Sequence, residues 1–103
     1  MDSYVRVCRL DDVPPGAGRA FQVGQARVAI FRVAGRVFAI DDVCPHMGGS
    51  LSGGLVHRGE VVCPMHGWPF ELASGRCPEA PEVTIATYAT QVRDGDVFID
   101  LGS

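Results

Sequence analysis

The sequence predicts an all-β fold, a small antiparallel sandwich or barrel. Three observations lead there. Apolar residues keep a helical period for no more than two turns anywhere, short runs rich in Val, Ile, Phe and Tyr recur, and Gly, Pro or Asp-Gly pairs separate those runs. With 103 residues, 47% of them apolar, and no polar low-complexity tract, the chain is expected to fold as a single domain over residues 1–103. Its core is modest, and an internal cross-link, whether disulfide or metal, would help it.

The elements follow in order along the chain. YVRVCRL, Tyr4 to Leu10, is an alternating strand that DDVPPGAGR breaks with Pro and Gly. ARVAIFRV (Ala26 to Val33) and RVFAID (Arg36 to Asp41) flank Ala34 and Gly35, a two-residue hairpin connection. EVVC, Glu60 to Cys63, is a short apolar strand, and FELASGRC continues as a strand and a Ser-Gly turn. TYATQVRDGDVFIDL closes the chain as a hairpin about Asp94-Gly95, with Val97, Ile99 and Leu101 on the same face as Tyr88, Thr90 and Val92.

The formal net charge of −3 supplies no basic stripe, which argues against nucleic acid or an acidic lipid surface as partner. No apolar run approaches the ~20 residues that span a bilayer. MDSYVRVCRLDDV has no basic flank leading into an apolar segment, so no secretion signal is expected and the cytoplasm is the expected location. Thiols stay reduced there, and the four cysteines read as metal ligands or core residues before disulfides.

Two loops carry the chemistry. CPHMGG opens with Cys44-x-His46; after sixteen residues intervening between His46 and Cys63, CPMHGW opens with Cys63-x-x-His66. Each pair follows a predicted strand, each thiol is followed by Pro (Pro45, Pro64), and each loop contains Gly, which lets backbone approach a ligand closely. Two thiolates and two imidazoles suit either tetrahedral zinc or a mixed-ligand iron–sulfur centre. One thiol and one imidazole per loop, with no helix to carry the histidines, favours the second. A cluster of two irons explains the split, since one iron can take both sulfurs and the other both nitrogens.

Cys44-Pro45-His46 with Cys63-Pro64-Met65-His66 resembles the two cluster-binding loops of the Rieske [2Fe–2S] family, C-x-H and C-x-x-H, and the likeness covers most of the chain. The resemblance implies a Rieske-type sandwich or barrel whose cluster-binding part is formed by two loops, at about 44–51 and 63–70. It implies one [2Fe–2S] cluster per chain, with Cys44 and Cys63 on one iron and His46 and His66 on the other. Two thiolates leave the oxidised centre neutral, and a neutral centre accepts an electron more readily than the dianion that four thiolates would make. Respiratory-complex members of the family carry an extra cysteine in each loop, joined as a disulfide. Gly49 and Met65 stand at those positions here, which implies the soluble, low-potential branch, as does Trp68 in the run His66-Gly67-Trp68.

The function implied is single-electron transfer, as a ferredoxin component between a flavin-dependent reductase and an oxygenase or reductase. The alternative is the small, non-catalytic Rieske subunit of an NAD(P)H-dependent nitrite reductase, to which VCPHMGGSLSGGLV and CPMHGWPFELASGRC are similar. A structural zinc module is the third reading. The isolated chain is not expected to be an enzyme. Once His46 and His66 are used only His57 remains for a mononuclear iron, and no GxGxxG opens a helix for a nucleotide. His57 reads as a solvated turn residue, and Cys8 and Cys77 as a strand and a turn residue without a metal role. Trp68 and Phe70 read as packing, Met47 and Met65 as an apolar cover over the cluster, and Gly67 as a backbone N–H offered to a sulfide. Asp41, Asp42, Glu60 and Glu71 read as solvated faces.

Overall fold

The computed structural model describes residues 3–44, 49–65 and 67–101. Among the described residues nine strands form: β1 (Tyr4–Arg9), β2 (Ala17–Val23), β3 (Ala26–Val33), β4 (Arg36–Asp41), β5 (Leu55–His57), β6 (Glu60–Val62), β7 (Pro69–Glu71), β8 (Thr87–Arg93) and β9 (Asp96–Asp100). Short 3-10 turns sit at Leu10–Asp12 and Leu51–Gly53. Six strands make one antiparallel sheet in the order β1-β9-β8-β4-β3-β2, and β5-β6-β7 make a second.

Local chemistry accounts for the hairpins. Ala34-Gly35, Arg58-Gly59 and Asp94-Gly95 each place two consecutive residues at positive φ (52° and 77°, 52° and 77°, 53° and 81°), the twist that two-residue hairpins require. β2 and β5 were not expected from the sequence. β2 is rich in Ala and Gly, and its Gly18 is needed because a Cβ there would enter the ring of Phe31 on the paired strand. Leu101 lies beyond β9 and is exposed, whereas Val97 and Ile99 are wholly buried.

β3 is buried on both faces, which explains why ARVAIFRV does not alternate cleanly between apolar and polar. Val28 and Ile30 join Cys8, Val13, Ala39, Val97 and Ile99 in a core within the six-stranded sheet. Ala29 and Phe31 turn the other way and pack with Ile40, Leu51, Val61, Phe70 and Ile85, where the small sheet covers the large one. Burial of each large side chain contributes roughly 1.5–3 kcal/mol relative to exposure. β4 meets β8 through only two residue pairs, Ala39 with Tyr88 and Ile40 with Thr87. Beyond them the strands part, bridged by Thr90 Oγ1 donating to the Val37 carbonyl at 2.9 Å. β5 to β7 and both cysteine loops occupy the stretch of chain between β4 and β8.

Candidate metal centre

β4 runs through Asp41, Asp42 and Val43 into Cys44, and β6 runs directly into Cys63. Both thiols are buried to 1% exposure and belong to the same core, between Leu51, Val61 and Phe70. The two loops close in the same way. Cys44 N–H donates to the carbonyl of Gly49 at 2.8 Å, and Cys63 N–H donates to the carbonyl of Trp68 at 2.9 Å, five residues on in each case. Each loop therefore leaves and returns at one point, with its cysteine at the neck.

The loops also touch. A Cβ built on Gly49 would run into Met65 Cγ and would lie 3.6 Å from Cys63 Sγ. Gly49 and Met65, at the positions where the sequence resemblance places a cross-link in other members, thus face one another across the site. The contact here is glycine against an exposed methionine. Met65 is 59% exposed, and Met47 lies outside the described residues. His46 and His66 also lie outside the described residues, so the structure brings together the two cysteines of the predicted set. Among the described residues no group of three or more His, Cys, Asp or Glu side chains forms a metal site by itself.

Gly67 corrects one expectation. It adopts φ +79°, a left-handed conformation that favours glycine, and its N–H donates to the Cys63 carbonyl at 2.9 Å. That N–H closes a tight turn and is not offered to a sulfide. Trp68 and Val56 pack, partly buried, against the shared core, and Phe70 is fully buried, as packing residues. Cys8 and Cys77 fall in different cores and neither is in a disulfide. Burial, with the Asp12 carboxylate next in importance, pushes the Cys8 thiol up from 9.0 to about 11. His57 ends β5, exposed.

Asp42 departs most from its expected solvated position: its side chain is wholly buried. Its Oδ2 accepts from Arg27 Nε at 2.7 Å and from Ser50 Oγ at 2.7 Å, and its Oδ1 accepts from the Ser52 N–H at 2.8 Å. Burial is the largest single influence on this carboxyl and raises its pKa; the donors on Ser50, Arg27 and Ser52 together outweigh it and hold the group below the ordinary carboxylate value. Asp41, Glu60 and Glu71 are half-buried. The signal for Asp42 was Asp two positions before Cys44 with Ser at 50 and 52, but its Arg partner stands fifteen residues upstream.

The donor chemistry fits a thiolate-bound metal: two buried cysteines outside any disulfide, on adjoining loops of matching closure, beside a glycine that leaves room where any side chain would intrude. No helix of the described residues is long and apolar enough to cross a membrane. A family model for the Rieske-like [2Fe-2S] domain matches residues 3–100. The chain is 32% identical to ferredoxin CarAc of Metapseudomonas resinovorans, over 93% of this chain and 92% of that one. It is 36% identical to the nitrite reductase (NADH) small subunit of Salmonella typhimurium, over 94% and 96%. The ferredoxin in a solved complex of reduced oxygenase and oxidised ferredoxin of carbazole 1,9a-dioxygenase superposes with a TM-score of 0.84 at 30% identity, covering 97% of this chain and 94% of that one. The family match and these near full-length similarities agree with the geometry of the loops: the chain belongs to the Rieske-like [2Fe-2S] domain family, and its cofactor is a [2Fe–2S] cluster.

Proposed function

We propose that this chain is a one-electron carrier in which Cys44 and Cys63 bind one iron of the cluster and His46 and His66 the other. The observation that carries the assignment is the matched closure of the two loops, which sets both thiols in one core and Cys63 Sγ against the neck of the first loop. The bound cluster supplies a single reversible electron; no substrate bond is made or broken on the chain itself. The protein's own contribution is to hold two thiolates in a buried, low-dielectric setting and to keep water from them with Leu51, Val61, Phe70 and the partly buried Trp68. The donor is a flavin-dependent reductase and the acceptor an oxygenase or reductase, in the cytoplasm. Similarity to ferredoxins of oxygenase systems supports that pairing. A second reading, the small subunit of an NADH-dependent nitrite reductase, is favoured by the 36% identity with the Salmonella subunit. Co-purification of a flavin reductase and oxygenase, or of a large nitrite reductase subunit, separates the two.

The test is low-temperature EPR of the dithionite-reduced protein with its visible spectrum and iron and sulfide content. A rhombic signal whose average g lies below the free-electron value, with two irons and two sulfides per chain, is expected for mixed Cys/His ligation. A colourless, EPR-silent protein holding one zinc per chain would overturn the reading.

A further inference from the structure

Asp42 is the one wholly buried charged side chain among the described residues. Taking a carboxylate out of water costs several kcal/mol, and an apolar residue in such a place is often neutral or stabilising. What the carboxylate secures instead is a junction of three pieces of chain. It holds Arg27 on β3, Ser50 directly after Gly49, and the N–H of Ser52 in the following 3-10 turn. Its main chain adds two more links: the N–H donates to the Arg27 carbonyl at 2.9 Å, and the carbonyl accepts from the Leu51 N–H at 2.7 Å. Cys44 is two residues downstream, and Val43 pairs with Ser50 across the neck. The departing and returning limbs of the first loop are therefore clamped to each other and to β3 through one residue. The second loop has a different device, the tight turn at Gly67 and the packed Trp68.

We propose that Asp42 is a positioning residue for the cluster, fixing Cys44 through the two limbs of its loop and, with Arg27, setting the local field in which the cluster takes up its electron. The inference rests on the assignment of Cys44 as a ligand. It has two consequences that a purely fold-supporting role lacks. Loosening the clamp at any member speeds cluster loss. Removing opposite charges moves the midpoint potential in opposite directions: losing the Asp42 negative charge makes reduction easier, and losing the Arg27 positive charge makes it harder.

The experiment uses the holoprotein and three variants, Asp42→Asn, Arg27→Gln and Ser50→Ala. Cluster loss is followed by visible absorption under a chelator, and the midpoint potential by redox titration monitored by EPR. Asp42→Asn is expected to lose its cluster about tenfold faster than wild type, the scale of outer-shell effects on metal binding, with Ser50→Ala moving the same way by a smaller factor. The potential is expected to rise in Asp42→Asn, to fall in Arg27→Gln, and to stay in place in Ser50→Ala. Loss rates within about twofold of wild type, with potentials that stay put or shift together, would show that Asp42 only supports the fold. If Asp42→Asn yields no holoprotein, Arg27→Gln and Ser50→Ala decide by the same readouts. Wild type without the rhombic signal overturns the cluster assignment and this inference together; wild type with the signal and indifferent variants overturns this inference alone.

Discussion

Replacing Gly49 by alanine tests whether the two loops meet as described. The added methyl would overlap Met65 Cγ while lying 3.4 Å from Met65 Cβ and 3.6 Å from Cys63 Sγ. Cγ is a single bond beyond Cβ, so only a change in the first side-chain torsion clears it, and Met65 must swing away from the neck of the first loop. Gly49 is not among the glycines at positive φ, so alanine incurs no backbone strain and gains about 0.4–1 kcal/mol from a stiffer unfolded chain. Overpacking at a contact of this kind costs about 1–3 kcal/mol. The balance is a loss of about 1 kcal/mol, or about 4–8 °C in Tm for a domain of this size. Met65→Ala alone should cost little, since Met65 is 59% exposed. In Gly49→Ala/Met65→Ala the colliding atom is gone, so thermal unfolding of the holoprotein should return close to the Met65→Ala value. A double variant no more stable than Gly49→Ala, or a single variant as stable as wild type, would refute the contact.

Other expectations follow from the same geometry. Serine at Cys44 or Cys63 should abolish the visible absorption and the EPR signal, whereas Cys8→Ala and Cys77→Ala should retain both, because Cys8 lies in the other core and Cys77, though in the same core, is on neither cysteine loop. The Cys8 thiol ionises near 9.0 when unfolded and near about 11 when folded, so the native state holds its proton longer. Its stabilising contribution is therefore complete below 9.0 and is lost as pH rises toward about 11. The loss amounts to about 2–3 kcal/mol, and urea unfolding of wild type against Cys8→Ala should reveal it. Gly75→Ala should be far more damaging than Gly24→Ala. Both sit at positive φ (77° and 60°), but a Cβ on Gly75 would strike the Ile85 carbonyl oxygen, which is backbone, while one on Gly24 meets nothing. The shared strain is about 1 kcal/mol, and equal Tm losses in the two variants would contradict the collision.

What was legible in the sequence was what the chain encodes within a few residues. The turn at Asp94-Gly95 announces itself by residue type and the one at Ala34-Gly35 by the long apolar strands that flank it, and the hairpins formed with those turns at their tips. The Cys-Pro pairs ending two strands marked the loop necks for the same reason. Arg58-Gly59 makes the same turn, but arginine is not a turn signal at its first position and three-residue strands are too short to show alternation. β2 was hidden because its glycine answers to Phe31 on β3, a partner that only the paired sheet supplies. Asp42 misled most: an acidic residue is usually solvated, and its burial depends on Arg27, Ser50 and Ser52 being folded around it. Sheet order was illegible too, since β1 with β9 and β4 with β8 are pairings across most or half of the chain.

The late pairing of β8 onto β4 bears on how the protein is made. Cys63 leaves the ribosome ahead of Cys77, Ala80 and Ile85, all of which belong to the core that buries it. At synthesis rates of about 5–20 residues per second, that interval lasts about 1–4 s. During it the thiols of Cys44 and Cys63 lack part of the core that later buries them. β1 gains its strand partner β9 later still, when Asp100 appears opposite Tyr4. The nascent chain thus carries both cysteines before the frame that will enclose them exists, and their burial waits on residues made more than a dozen positions later.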